Sequence, residues 1–318
     1  MNNSTRTQEI QVLSDLNRKG EERPWKVHKV ANSILSDHYL AVNKSKAARL
    51  ADCSSWLIFT RHEGRFKLRR ANFCRVRLCP MCNWRRSLKV SGQLHKIVDA
   101  LSSTENYAYL MLTLTVRNVG GYELSQTIDS MMQGVRKLMQ YKAVTSAVEG
   151  WFRSMEVTHN LDPLSASFDT YHPHFHVLLA VKPSYFKGKN YLSRAAWQGL
   201  WKKAMRLDYD PDVHVKRTHG STAAAIAEAA KYAVKSEDYI IPDDYDLTIE
   251  TIRILDSALH NRRFVGMGGV IREMHKKLHL DDPEDGDLTL KEDADQDVPE
   301  DQEIVYVWNI GYSQYLRD

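Results

Sequence analysis

Cysteine is scarce in this chain of 318 residues, with only four, and all of them lie between Cys53 and Cys82. So few and so clustered a set excludes a secreted scaffold held by disulfides spread along the chain. Long apolar runs are also missing: nothing approaches the roughly 18 consecutive apolar residues of a membrane span. Residues 1–20 are polar and hold no signal-peptide core. These absences lead us to expect a cytoplasmic protein with no membrane partner. No G-x4-G-K-[ST] loop occurs, which excludes a P-loop motor within the chain, and the lack of H-E-x-x-H argues against a metallohydrolase of small molecules. Internal repeats are absent as well. The 43% hydrophobic content is still enough to bury a proper core.

Charge is unevenly spread. Residues 281–303 hold twelve acidic residues and one lysine, and with that −11 and the neutral 304–318 set aside, the whole-chain +4 becomes +15 for residues 1–280. A body this basic suits a nucleic-acid partner, since it attracts phosphates, although charge alone carries no sequence specificity. The acidic stretch is too polar to pack and is expected to be a disordered linker. It could serve as a spacer or compete with nucleic acid for the basic face.

The stretch from Tyr171 to Val181 reads as a β-strand with two chemically distinct faces. Alternation places Pro173, Phe175, Val177, Leu179 and Val181 on one side and His172, His174 and His176 on the other. Imidazoles spaced by two on a rigid strand can hold a divalent metal; the bland alternative is a solvated face of hydrogen-bonded histidines. Mg²⁺ and Mn²⁺ prefer some oxygen, which makes Glu156 a candidate third ligand. It sits in the preceding strand, with Met155 and Val157 facing the other way, and the loop 160–170 could return the chain as a hairpin. His172 competes for the same role.

Downstream, residues 223–235 carry Ile226, Ala230, Ala233 and Val234 at helical spacing, and Glu228, Tyr232 and Lys235 on the opposite side. Glu228 and Tyr232 are four apart, so a helix would stack a carboxylate beside a phenol, an acid/base group next to a nucleophile. Tyr239 and Tyr245 are weaker nucleophile candidates. The cysteines, spaced C-x20-C-x4-C-x2-C as Cys53, Cys74, Cys79 and Cys82, fit one tetrahedral Zn²⁺. Arg75, Arg77, Arg85 and Arg86 around them, with Lys231, are candidate phosphate contacts. Trp25, Val27, Val30 and Ile34 are the expected packing anchors of an N-terminal helix, and Ser193 is expected to cap a helix bearing Trp197 and Trp201.

At these residues the chain resembles the plasmid rolling-circle replication initiators (Rep) of the HUH endonuclease superfamily, in the branch with one catalytic tyrosine and a nearby glutamate. The resemblance rests on His174-Phe175-His176, on Glu228-Ala-Ala-Lys231-Tyr232, on the strand Leu112-Thr113-Leu114-Thr115, on the cysteine stretch and on Arg262-Arg263-Phe264 with Gly266, Gly268 and Gly269. Position 156 is similar to the acidic ligand that precedes the H-U-H core in related Reps.

The order of elements suits an α+β fold, an antiparallel sheet covered by helices on one face. The resemblance implies its ferredoxin-like HUH form, with the histidines on a central strand, plus a small zinc-binding subdomain held by the four cysteines. We expect an N-terminal arm and helix over 1–45, a basic zinc unit over 46–102, a nicking domain over 103–280, the acidic linker over 281–303 and a C-terminal segment, 304–318, that docks on the main domain. The resemblance further implies a metal-dependent endonuclease and strand transferase, using Mg²⁺ or Mn²⁺. Tyr232 would nick one strand of plasmid origin DNA, at a hairpin or melted site beside flanking duplex, through a 5′-phosphotyrosine. Lys235 would stabilise the phenolate or the phosphate. Glu228 would activate water for the terminating cleavage. Helicase and polymerase would come from the host. Monomer and homodimer both stay open. The competing readings are a zinc-stabilised DNA-binding regulator without catalysis, and a relaxase or transposase with the same chemistry.

Overall fold

A computed structural model of the chain describes residues 10–17, 19–62, 65–218, 222–231, 234–289 and 303–318. In chain order the elements are α1 (Trp25–Tyr39), α2 (Lys44–Asp52), β1 (Trp56–His62), β2 (Arg65–Ala71), α3 (Pro80–Thr104), β3 (Ala108–Thr115), α4 (Gly121–Leu138), α5 (Lys142–Thr145), β4 (Gly150–Asn160), β5 (Thr170–Val181), α6 (Arg194–Met205), β6 (Val213–Arg217), α7 (Ala223–Ala229), α8 (Tyr245–Ala258), β7 (Gly266–Gly268), α9 (Gly269–Lys277), β8 (Glu303–Asn309) and β9 (Gln314–Arg317). They form two antiparallel sheets, ordered β2-β1-β8-β9 and β6-β3-β5-β4-β7. The fold is therefore α+β. Two compact units result: the described residues up to Cys82 with 288–289 and 303–318, and Asn83–Asp287. Among the described residues no helix is long and apolar enough to cross a membrane.

In the first unit α1 buries a face that its hydrophobic residues do not foretell. Trp25 is buried, but Val27 and Ile34, expected anchors, are 64% and 41% exposed, while Lys29, Asn32 and Ser36 are buried. The reason is hydrogen bonding. A helix leaves its last carbonyls without partners, and those around the end of α2 are met from α1: Asn32 Nδ2 donates to Leu50 O, and Lys29 Nζ to Ala51 O and Cys53 O at 3.0 and 2.6 Å. The C-terminal segment, expected on the main domain, instead enters this unit. β8 pairs with β1 from Trp56↔Val307 to Thr60↔Glu303, and the amino-terminal stretch joins at Val12↔Leu316.

The second unit is built on the five-stranded sheet with β5 at its centre. Its helices cover both faces rather than the one face expected. Phe175 meets Trp201 of α6 edge-on, with centroids 6.5 Å apart. On the other face Phe152, Leu178 and Ala180 pack with Leu94 of α3, Ile226 and Ala229 of α7 and Ile271 of α9. The run Val177-Leu-Leu-Ala-Val181 is apolar in both alternating sets, the mark of a strand buried on both sides. Histidines 172, 174 and 176 share the face of Leu178, at the end where that core stops.

α6 begins where expected, with Ser193 Oγ accepting the Ala196 N–H at 3.2 Å. The helix expected over 223–235 is shorter, ending at Ala229. Ala225, Ile226, Ala229 and Ala230 are buried, the packing that a helix of seven residues needs. The following backbone then finds another partner: Lys235 is extended, and its N–H donates to Asp238 Oδ2 at 3.1 Å.

The first part of the stretch expected to be a disordered linker, residues 281–289, is ordered. Asp281 receives an ion pair from Lys89 at 2.7 Å, Asp282 one from Arg263 at 2.8 Å, and Glu284 is buried and accepts the Phe264 N–H at 3.0 Å. Basic partners thus fix the beginning of the acidic run; residues 290–302 lie outside the described ones. At β7, Gly269 has φ +56°, and a Cβ there would stand 2.0 Å from Glu149 O, so the turn needs glycine.

Candidate active site

The β4–β5 hairpin brings three ligating side chains together. Glu156 lies directly opposite His174 in the ladder, and His176 is opposite Ser154 one step of the alternation along. Side chains directly opposite in a ladder share a face. Glu156 Oε2 stands 2.9 Å from His176 Nε2 and 3.3 Å from His174 Nε2, and all three residues are buried. Octahedral coordination at about 2.1 Å places neighbouring donors about 3.0 Å apart, so these separations fit a divalent cation of the Mg²⁺ or Mn²⁺ kind. His174 Nδ1 lies 3.1 Å from the His172 carbonyl. A carbonyl only accepts, so Nδ1 carries a proton in this contact and Nε2 is the nitrogen turned toward Glu156, where it could meet a cation once deprotonated.

His172 is half-buried beside Thr158, its ring stacked on that of His174 with centroids 5.3 Å apart. It stands outside the close group formed by Glu156, His174 and His176. Burial, then the neighbouring His174, lowers its pKa, which favours the neutral imidazole.

Charge around Glu156 outweighs its burial. Burial pushes the carboxyl up, but hydrogen bonds and charge from His174 and His176 hold it well below the usual carboxylate range. Lys235 Nζ reaches Glu156 Oε1 at 3.5 Å. Glu228, at the end of α7, pairs with Lys231 Nζ at 2.7 Å and places Oε1 3.4 Å from His176 Nδ1. Glu156, His174, His176, Glu228, Lys231 and Lys235 are therefore one connected network. The shared helical face expected for Glu228 and Lys235 does not exist, because Lys235 lies beyond the helix end, itself in extended backbone. Tyr232 lies outside the described residues, between Lys231 and Lys235 in sequence. Of the alternative tyrosines, Tyr239 is fully buried, and Tyr245 is the exposed first residue of α8, between Asp244 and Asp246.

The cysteine site belongs to the first unit. Sγ separations are 3.6 Å for Cys53–Cys79, 3.7 Å for Cys53–Cys82 and 3.8 Å for Cys74–Cys82. A tetrahedron with Zn–S bonds of about 2.3 Å has edges of about 3.8 Å, so the four sulfurs fit Zn²⁺. Backbone N–H groups point at them: Cys74 N to Cys53 Sγ, Arg75 N to Cys82 Sγ and Cys82 N to Cys79 Sγ, at 3.3–3.4 Å. Hydrogen bonding among the thiols raises the Cys53 pKa well above the usual range, and burial does the same to Cys79. Thiols raised in this way, as Cys53 and Cys79 are, ionise side by side only around a cation.

The basic residues divide. Arg75 is exposed at φ 57° and Arg77 is half-buried. Arg85 and Arg86, expected to meet phosphates, are 0% and 3% exposed. Arg86 Nη1 donates to Asn83 Oδ1 at 3.1 Å. They are structural cations in α3, not surface contacts. Lys29 and Asn32 escaped the sequence reading, as buried polar residues on an apolar helix face give no periodic signal.

The profile of the replication protein family matches residues 65–316. A protein named Protein rep from Bacillus amyloliquefaciens is 40% identical over 337 aligned positions, covering 96% of this chain and 97% of its own length. A second Protein rep, from a Bacillus species, is 42% identical with 80% and 90% covered, and one from Streptococcus pneumoniae is 36% identical with 96% and 95% covered. No solved structure matches the chain. With the family profile spanning most of its length and such relatives covering nearly all of it, the chain belongs to the replication protein (Rep) family.

Proposed function

We propose that this replication initiator is a metal-dependent DNA-nicking enzyme that starts rolling-circle replication of a plasmid. The observation that carries the reading is the buried Glu156–His174–His176 group with Lys235 and Glu228 on its rim. Such a group has no use in a DNA-binding regulator, and the placement of His174 and His176 on the central strand of an antiparallel sheet is consistent with a ferredoxin-like HUH core. A divalent cation on these three ligands would polarise the scissile phosphate and neutralise its developing charge.

Tyr232 attacks the phosphorus of the scissile bond in single-stranded origin DNA. A phosphotyrosine bond to the 5′ side forms as the bond to the 3′ oxygen breaks; the phenol proton passes to solvent or a neighbouring base, and the 3′ oxygen leaves as a hydroxyl. A phenol with a pKa near 10 is mostly protonated at neutral pH, and Lys231 and Lys235, on either side of Tyr232 in sequence, favour its ionised form and hold the phosphate. The 3′ hydroxyl then primes a host polymerase behind a host helicase. After one round Glu228 takes a proton from water for the terminating cleavage. The cysteine unit carries a structural Zn²⁺ and presents Arg75 and Arg77 to flanking DNA.

The test is relaxation of supercoiled plasmid carrying the gene and its flanking DNA. Relaxation with Mn²⁺, lost with EDTA and in a His174→Ala/His176→Ala variant that stays folded, is the expected result. Binding without relaxation at any metal concentration would sink the reading in favour of a non-catalytic regulator.

A further inference from the structure

A histidine that ligates a metal through one ring nitrogen needs a partner for the other, because the second nitrogen fixes both tautomer and ring orientation. His174 has this partner in its own strand, with Nδ1 3.1 Å from His172 O. His176 is placed the same way, Nε2 toward Glu156 at 2.9 Å, yet its Nδ1 is buried and makes no hydrogen bond of good geometry. With Nε2 kept for the cation, Nδ1 carries the proton, and a buried N–H without an acceptor is destabilising. Glu228 Oε1 stands 3.4 Å from it, and a shift of about 0.6 Å would bring the pair to the roughly 2.8 Å of a charge-assisted hydrogen bond.

We infer that Glu228 is a positioning residue for the metal site, accepting the Nδ1–H of His176 so that Nε2 faces the cation. The inference rests on the metal-site reading above and goes beyond the role of Glu228 as a base. The competing account is an (i, i+3) pair in which Lys231 Nζ meets both carboxylate oxygens, Oε1 at 2.8 Å and Oε2 at 2.7 Å; a carboxylate oxygen has a second lone pair, so Oε1 can accept from His176 Nδ1 as well. Such a half-exposed pair adds little by itself and leaves the buried Nδ1 without an acceptor. Glu228 is about one-third exposed, with 36% of its side chain open, so it can swing between two partners. The same carboxylate that orients a ligand during the first cleavage is then released for water in the second.

The test is Mn²⁺ titration calorimetry on the full-length, zinc-loaded protein without DNA, so that the readout is affinity rather than turnover. Glu228→Ala should weaken Mn²⁺ binding by about 10–100-fold, the range of an outer-sphere carboxylate, with an unchanged circular dichroism spectrum. Glu228→Gln, which keeps an acceptor and loses the charge, should fall between this variant and wild type. Wild-type affinity in Glu228→Ala overturns the inference and leaves the metal site standing. Wild-type affinity in His174→Ala/His176→Ala overturns both, because the cation is then bound elsewhere.

Discussion

Glu156 and His174 face each other across one rung of the β4–β5 ladder, with Oε2 3.3 Å from Nε2, and this pairing joins a carboxylate to the histidine strand. Glu156→Gln keeps the shape and removes the charge that draws a cation and Lys235. We expect Mn²⁺ affinity to fall by more than the ~100-fold upper range of an outer-sphere change, with nicking lost at ordinary metal concentrations. Calorimetry and plasmid relaxation check both; an unchanged affinity would remove Glu156 from the ligand set.

Glu228 should separate the two cleavages. At saturating Mn²⁺, Glu228→Ala is expected to nick and to form the covalent adduct at a rate near wild type, then to fail at termination, giving multimeric displaced strands. Loss of first-strand nicking under saturating metal would contradict the base role.

The cysteine site should hold one zinc per chain. Cys82→Ser is expected to lose it by metal analysis and to unfold the first unit. Zinc binding of this type is worth on the order of 10–16 kcal/mol in small domains, far more than hydrogen bonds among the remaining thiols can replace. Full retention of melting temperature in the zinc-free variant would exclude a structural role.

One surface pair gives a pH signature. The Arg262 guanidinium holds the Asp129 carboxyl below its ordinary 3.8 and binds it bidentately at 2.9 and 2.7 Å. A carboxyl with a lowered folded pKa contributes stability that is present above the unfolded value and is lost as pH falls through the folded one. Asp129→Asn should therefore cost about 0.2–1 kcal/mol at pH 7, an amount limited by solvent screening of a half-exposed pair. The gap to wild type should close as pH falls below the ordinary 3.8 in chemical denaturation; a gap that widens there would refute the assignment.

What the sequence made legible follows its periodicities. The alternation of β5 separated its histidines from its apolar face, and the position of Glu156 between Met155 and Val157 placed it on the matching side of β4. Where local pattern met a tertiary competitor, reading failed. The continuous apolar run after His176 implied a second covering layer, but the element order suggested a single one. The alanine-rich helix at Glu228 has no breaker to mark its end at Ala229, and Lys235 instead caps a separate short turn, its N–H donating to Asp238. α1 misled because its buried face serves the carbonyls of α2, so Lys29 and Asn32 are inside and Val27 is outside. Likewise Arg85 and Arg86 carry the charge of a DNA contact and are buried, and the C-terminal strand finds β1 across a sequence separation that no local pattern encodes.

The central claim is that Tyr232 is the nucleophile of a strand-transfer reaction. The most direct measurement is peptide mass spectrometry after incubating wild-type and Tyr232→Phe protein with Mn²⁺ and supercoiled origin plasmid. The account predicts relaxed DNA and a nucleotide adduct on the peptide holding Tyr232 in wild type, and neither in the variant. Nicking by both proteins, or an adduct on Tyr239 or Tyr245, would contradict it.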